Sequence, residues 1–302
     1  MNHKYLIIIG GPTASGKTKV AIDMAKHFNT VILSADSRQF YREMNIGTAK
    51  PNAEELEVVT HHFINSLSIQ DEYSVGDFEK EAIRLLDDIF SEKNVAVMAG
   101  GSGLFIKAVC EGLDEFPDVP AAINQQLAAE FAEGGLTFLQ NELKEKDPTY
   151  YQEVDLSNHH RLLRALSVCR ASGQPFSSFR SKNKAQRSFT PIYILLAWER
   201  EQLYQRINLR VDKMMEMGQL AEARSLIPYK DLNALQTVGY QELFDHFAGK
   251  MTLEEAVNLI KQNSRRYAKR QMTWFRRDGH WHSFHPSETA AIIELIEKKT
   301  RV

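Results

Sequence analysis

Short, unbroken apolar runs recur along the chain, at Tyr5 to Ile9, Val31 to Leu33, Val95 to Met98 and Ile192 to Trp198. Runs of this length, bounded by turn-forming and polar residues, read as strands covered on both faces, as in a parallel sheet. Helical spacing fills the stretches between them. It is clearest after Ser74, where Phe78, Ala82, Leu85, Leu86 and Ile89 fall on one face. Ser74 stands three residues before Asp77, a capping-box start. Strands alternating with helices predict an α/β fold, a parallel sheet wound by helices on both faces.

The pattern changes near Leu113. Pro117 and Pro120 frame a loop, and only helical spacing follows, with breaks at Gly134-Gly135 and Asp147-Pro148. From Gly173 to Pro191 the chain is polar and rich in Ser, Lys and Arg, and reads as a linker before apolar spacing resumes at Ile192. The expected organisation is an all-helical domain at 114–190 inserted into a core formed by 1–113 and 191–302. From Glu199 onward the core is expected to be mostly helical.

Composition narrows the class without naming it. Of 302 residues, 43% are hydrophobic and 25% charged, which suits a folded globular chain. The net charge of −2 leaves room for a nucleic-acid footprint only as a local patch. The only cysteines, Cys110 and Cys169, lie in apolar settings and fit a reducing compartment. The first apolar run is too short for a signal-peptide core, and no run approaches the roughly 20 residues of a membrane helix. A cytoplasmic protein without a membrane association is expected, and nothing in the pattern suggests an obligate oligomer, so a monomer is expected too.

One local motif carries explicit chemistry. Gly11, Pro12, Thr13, Ala14, Ser15, Gly16, Lys17 and Thr18 match the phosphate-loop template throughout, between an apolar strand and a helical stretch. In that setting backbone N–H groups and the helix N-terminus converge on phosphate oxygens. Lys17 reaches the outer oxygens, and the Thr18 hydroxyl is placed to ligate Mg²⁺. The competing reading, a chance match in an unrelated turn, does not account for the strand–loop–helix order. The loop leaves the reaction open, because most proteins that carry it hydrolyse ATP or GTP or are kinases. Many of those place an Asp at the end of a later strand, whereas here Val95 to Met98 runs into Ala99-Gly100-Gly101-Ser102-Gly103. The acid stands instead at the end of the second run, Asp36, followed by Ser37, Arg38 and Gln39. Ligands bind beyond the carboxyl ends of parallel strands, so Asp36 is expected beside the loop; a turn Asp or helix N-cap is the alternative.

Near the other end, Lys261, Arg265, Arg266, Lys269, Arg270, Arg276 and Arg277 occur with no acid among them, interleaved with Tyr267, Trp274 and Phe275. Such a window suits phosphate contacts with aromatic stacking; a solvated basic helix whose aromatics belong to the core is the other reading. His280, His282 and His285 have no thiolate or acidic partner at metal-ligand spacing and read as surface and strand residues.

Taken in order, the phosphate loop, Asp36 to Gln39, Ile46-Gly-Thr-Ala-Lys-Pro51, His61-His62, Gly100 to Leu104, Asn158-His-His-Arg161 through Arg164, Arg206 to Arg210, Thr237 to Tyr240 and Lys269 to Arg276 closely resemble the bacterial form of the tRNA dimethylallyltransferase family. The resemblance covers nearly the whole chain. Ser102 stands where the family commonly has Thr, Phe105 where Tyr is common, and Asn124 near a position often occupied by Arg that faces tRNA, so a contact at Asn124 is in doubt.

The resemblance implies a P-loop NTPase-like sheet with an inserted all-helical domain. It implies transfer of a five-carbon group from dimethylallyl diphosphate to the exocyclic nitrogen of an adenine beside the tRNA anticodon, with Mg²⁺ as cofactor. The loop residues would hold the diphosphate, Thr18 and Arg210 would assist its departure, and Asp36 would act as general base. Contacts to the anticodon stem-loop are implied for Asp36, Ser37, Arg38, Gln39, Ser102, Gly239, Lys269, Arg270, Trp274 and Arg276. On the insertion they are implied for His160, Arg161 and Arg164, so that core and insertion would clamp the RNA from two sides. A kinase of a small metabolite, a prenyltransferase of free adenine nucleotides and a non-catalytic RNA-binding protein remain as rivals.

Overall fold

The computed structural model describes residues 3–180, 184–277 and 280–300. In chain order its main elements are β1 (Tyr5–Gly10), α1 (Lys17–His27), β2 (Ile32–Ser34), α2 (Ala53–Val58), β3 (His61–His62), α3 (Val75–Glu92), β4 (Val95–Gly100) and α4 (Gly103–Glu111). There follow α5 (Ala121–Lys146), α6 (Pro148–Glu153), α7 (His159–Ser172), β5 (Thr190–Leu196), α8 (Arg200–Glu216) and α9 (Gln219–Ser225). The last are α10 (Gln241–Phe247), α11 (Leu253–Arg276), β6 (His282–Phe284) and α12 (Thr289–Thr300).

The six strands among the described residues form one parallel sheet in the order β3-β2-β4-β1-β5-β6. The fold is α/β, as the apolar runs predict, and P-loop-like, as the resemblance implies. β1 is central and wholly buried, and its side chains divide by parity. Leu6 and Ile8 join the core beneath α3 and α4, with Phe78, Ala82 and Leu86. Tyr5, Ile7 and Ile9 join the core on the opposite face, with Val20 and Met24 of α1 and Ile292 and Ile296 of α12.

The Ser74 capping box is formed in both directions. Asp77 N–H donates to Ser74 Oγ at 3.2 Å, and Ser74 N–H donates to Asp77 Oδ2 at 2.9 Å. Along α3, Phe78, Ala82 and Leu86 are buried as the spacing predicts, Leu85 and Ile89 flank them, and Phe90 completes the stripe. Two strands escape the apolar pattern because they are short and polar: β3 is a pair of histidines, and β6 is His-Ser-Phe. β5 starts at Thr190, so the expected linker runs two residues into the sheet and the expected insertion boundary one. The same stretch contains a 3₁₀ turn at Phe176–Phe179.

The chain divides into two compact units, residues 1–111 with 186–302, and residues 112–185. The first holds the sheet and a helical lobe around Tyr240, Leu235, Val211 and Ile260. The second is all-helical: α5 and α7 pack through Leu127, Leu139, Leu143, Leu162 and Leu166. α5 is interrupted at the expected break, where Gly135 leaves helical geometry (φ 61°), and Asp147 ends its second half and caps α6. Among the described residues no helix is long and apolar enough to cross a membrane.

Candidate active site

β1 ends at Gly10 and the phosphate loop turns into α1 at Gly16, whose φ of 90° suits glycine. Gly11 also has positive φ (155°), and a Cβ there would lie 2.9 Å from Ser15 Oγ and 3.0 Å from Leu196 O. Ser15 Oγ is buried without a hydrogen-bond partner among the described residues. Trp198 Nε1 donates to Ser15 O at 3.0 Å and Arg206 Nε to Ala14 O at 3.0 Å, so the loop is braced from outside. Gln271 of α11 ties it further: Thr13 N–H donates to Gln271 Oε1 at 2.8 Å, and Gln271 Nε2 donates to Gly101 O at 3.0 Å.

The loop forms one end of a cleft of about 470 Å³. Thr13 to Thr18, Asp36, Arg38, Gln39, Arg210 and Gly239 all line it, so the predicted catalytic residues converge there. Lys17 donates to Pro12 O at 2.7 Å. Burial lowers its ammonium to about 8, with Asp36 opposing that shift and Arg210 adding to it. Burial likewise lowers the Arg210 guanidinium below its ordinary range, again opposed by Asp36. Two cations and one carboxylate therefore sense one another across the cleft, the arrangement of an anion cradle beside a proton acceptor.

Asp36 lies two residues past the end of β2. Its Oδ1 accepts from Arg38 N–H at 3.1 Å, and Ser37 N–H donates to Ser102 Oγ at 3.1 Å, so the turn is held on both sides. Gln39, expected as an RNA contact, is committed to the protein: Nε2 reaches Thr48 O and Ala49 O at 3.3 Å each, and Oε1 accepts from Ser34 Oγ. The glycine turn after β4 has packing reasons of its own. A Cβ at Gly100 would lie 2.1 Å from Ala35 O, one at Gly101 2.2 Å from Gln271 Nε2, and one at Gly103 2.1 Å from the Trp274 ring.

Some lining residues were not assigned to the cleft from sequence: Tyr267 was expected among the stacking aromatics, and Gln219 had no expected role. Tyr267 enters the cleft from α11, and burial pushes its phenol up to about 12, with Asp36 adding and Arg38 and Arg270 opposing. Gln219 is fully buried, donates to Gly239 O at 2.9 Å, and leaves Oε1 without a partner among the described residues. Gly239, with φ of 97°, also gives its N–H to Glu242. Ile260, Ser264, Tyr267 and Gln271 reach the cleft at helical spacing along α11, which is the signal available in the sequence.

The basic window is α11's other face. Arg266, Lys269, Arg270, Thr273, Trp274 and Arg277 line a separate groove. Lys261 and Arg265 are instead paired inward, to Asp212 at 2.5 Å and Asn208 at 2.6 Å. Arg276 is exposed but does not line that groove. Phe275, expected among the stacking aromatics, is 1% exposed and packs in the core against Trp281, because its register puts it on the sheet side. In the helical unit His160, Arg161 and Arg164 are exposed at the start of α7, and Arg164 lies over the Phe116 ring at 5.4 Å. Asn124 is exposed on α5. His285 bonds Ser287 Oγ and packs on Trp198, His280 packs on Tyr193, and His282 pairs within the sheet.

Residues 39–278 match a family model described as IPP transferase. A tRNA dimethylallyltransferase of Christiangramia forsetii is 53% identical over 297 residues, 98% of each chain. That of Flavobacterium psychrophilum is 49% identical over 305 residues, covering 98% of this chain and 99% of its own. Among solved structures, the full-length tRNA isopentenylpyrophosphate transferase of Bacillus halodurans aligns with a TM-score of 0.74 at 35% identity, over 99% of this chain and 97% of its own. A eukaryotic dimethylallyltransferase described as acting on tRNA aligns with a TM-score of 0.81 at 25% identity, over 94% and 74%. The phosphate loop and Asp36 precede the matched stretch of the family model, so their roles rest on geometry.

Proposed function

The chain belongs to the IPP transferase family of tRNA dimethylallyltransferases, and from that membership we infer that its cleft transfers the dimethylallyl group of dimethylallyl diphosphate to an adenine of tRNA. The observation that carries the mechanism is the convergence of the phosphate loop, Lys17, Arg210 and Asp36 on one cleft. The loop amides, Lys17 and Arg210 hold the diphosphate as a leaving group. When the allylic C–O bond breaks, its electron pair stays on the diphosphate, and the prepositioned cations stabilise the charge that develops there. The adenine N6 lone pair forms the new C–N bond, and Asp36 accepts the proton that nitrogen loses. The acceptor base leaves its stack to reach the cleft, which is easiest in a single-stranded loop such as the one carrying the anticodon.

The donor set at the loop fits a divalent cation: the Thr18 hydroxyl stands in the first turn of α1, and Ser15 Oγ is a buried oxygen without a partner among the described residues. Mg²⁺ held by Thr18 and diphosphate oxygens would supply further neutralisation of the leaving group. The groove on α11 supports a phosphate contact along the anticodon stem.

Asp36→Asn is the test. Turnover should fall by about 10² to 10⁴, the usual contribution of a general base, while calorimetric binding of inorganic diphosphate is unchanged. Wild-type turnover in that variant would remove Asp36 from the reaction.

A further inference from the structure

Glu222, on α9, accepts four hydrogen bonds from a segment far from it in sequence and from one tyrosine. Oε2 receives Asn45 N–H at 3.0 Å and Ile46 N–H at 2.8 Å; Oε1 receives Gly47 N–H at 3.0 Å and Tyr240 Oη at 2.7 Å. Three successive backbone amides turned onto one carboxylate form an anion nest, filled here by the protein's own side chain. The fit is close: a Cβ at Gly47 would lie 2.5 Å from the Tyr240 ring. Lys50 fastens the same loop from another side, donating to Tyr41 O at 2.5 Å and to Asn65 Oδ1 at 2.6 Å.

This loop matters because of what it holds next. Gly47, Thr48 and Ala49 form part of the cleft wall. The Thr48 and Ala49 carbonyls accept Gln39 Nε2, and Gln39 N–H donates to Asp36 O at 3.2 Å. A continuous chain of bonds thus runs from Glu222 through the 45–49 loop and Gln39 to the turn that carries Asp36. The phosphate loop is braced separately, by Trp198, Arg206 and Gln271.

We propose that Glu222 is a positioning residue for the transfer step, acting through the 45–49 loop and Gln39 on the placement of Asp36. The proposal rests on the assignment of Asp36 as the base. Its chemistry is specific to a carboxylate, which offers acceptors on both oxygens. Glu222→Gln keeps the shape but turns an amide N–H₂ onto groups that are themselves donors.

The test compares kcat at saturating tRNA and dimethylallyl diphosphate for wild type, Glu222→Gln, Asp36→Asn and the double variant, together with calorimetric binding of inorganic diphosphate. Misplacing the base should lower kcat by about 10²-fold in Glu222→Gln. Diphosphate affinity should be unchanged, and the double variant should be no slower than Asp36→Asn alone, as expected when one residue acts through another. If the Glu222→Gln factor multiplies in the Asp36→Asn background, or diphosphate binding falls along with kcat, the proposal is overturned. It is overturned equally if Glu222→Gln turns over at the wild-type rate while Asp36→Asn is slow, which would leave the base assignment intact. A fast Asp36→Asn would end both. Should Glu222→Gln fail to fold, Gln39→Leu cuts the same chain nearer Asp36 and is put through the same comparison, with the same outcomes deciding.

Discussion

Lys17 concentrates the electrostatics of the cleft in one titratable group. Burial brings its ammonium down to about 8 from 10.5, despite the opposing pull of Asp36. The cradle is therefore fully charged below about 8 and loses that charge as pH rises, earlier than an exposed lysine would. Affinity for inorganic diphosphate, followed by calorimetry, should fall as pH climbs through this value. In Lys17→Arg, whose guanidinium stays charged, that step should be missing. An identical pH profile in the two proteins would mean that Lys17 does not set the cradle's charge. Stability moves the opposite way in the same window: between about 8 and 10.5 the unfolded chain binds the proton more tightly, so this group's contribution to stability rises with pH. Lys17, Thr18, Asp36 and Arg210 were legible in the sequence because a local motif, a strand end and a family resemblance announce them. Gln271 and Glu222 were not, because their roles exist only through partners remote in the chain, Thr13 for the first and Asn45 to Gly47 for the second. A polar residue on a helix carries no local sign that such a partner waits for it.

Helix α11 performs three tasks with three faces, which its composition alone could not separate. Phe275 and Ala268 pack inward, Tyr267 and Gln271 face the cleft, and Lys269, Arg270 and Trp274 line the outer groove. The basic window was visible as charge. Its division was not, since Lys261 and Arg265 belong to the contact with α8 and only their partners Asp212 and Asn208 reveal it. The groove residues should therefore govern the ionic-strength dependence of tRNA binding. Replacing Lys269 and Arg270 by Gln together should weaken binding and flatten the slope of log affinity against log salt, by about 0.7–0.9 for each phosphate that is no longer neutralised. Filter binding over a salt series measures this. An unchanged slope would assign the RNA to another surface, and neutralising Lys261 should leave the slope as it is.

For the whole molecule, the sheet could be read from four apolar runs, but its order could not. β4 inserts between β1 and β2, and the edges β3 and β6 are polar pairs and triplets that pair only because neighbouring strands offer free backbone groups. The start of β5 at Thr190-Pro191 was hidden for the same reason: its first residues are polar or ring-constrained and gain strand geometry from pairing with Tyr5 and Leu6. That topology brings the ends of β1 and β2 together, so that the phosphate loop and Asp36 line the same cleft. The proposed reaction requires that this loop hold a leaving group whose carbon–oxygen bond breaks. It is tested most directly with dimethylallyl diphosphate labelled separately in the allyl carbons and in the phosphates, incubated with tRNA, alongside γ-labelled ATP with the same tRNA and with free AMP. The expected result is carbon label in tRNA adenine, phosphate label released as diphosphate, and no transfer from ATP. Phosphate label from ATP on either acceptor, or allyl label on AMP in preference to tRNA, would contradict it.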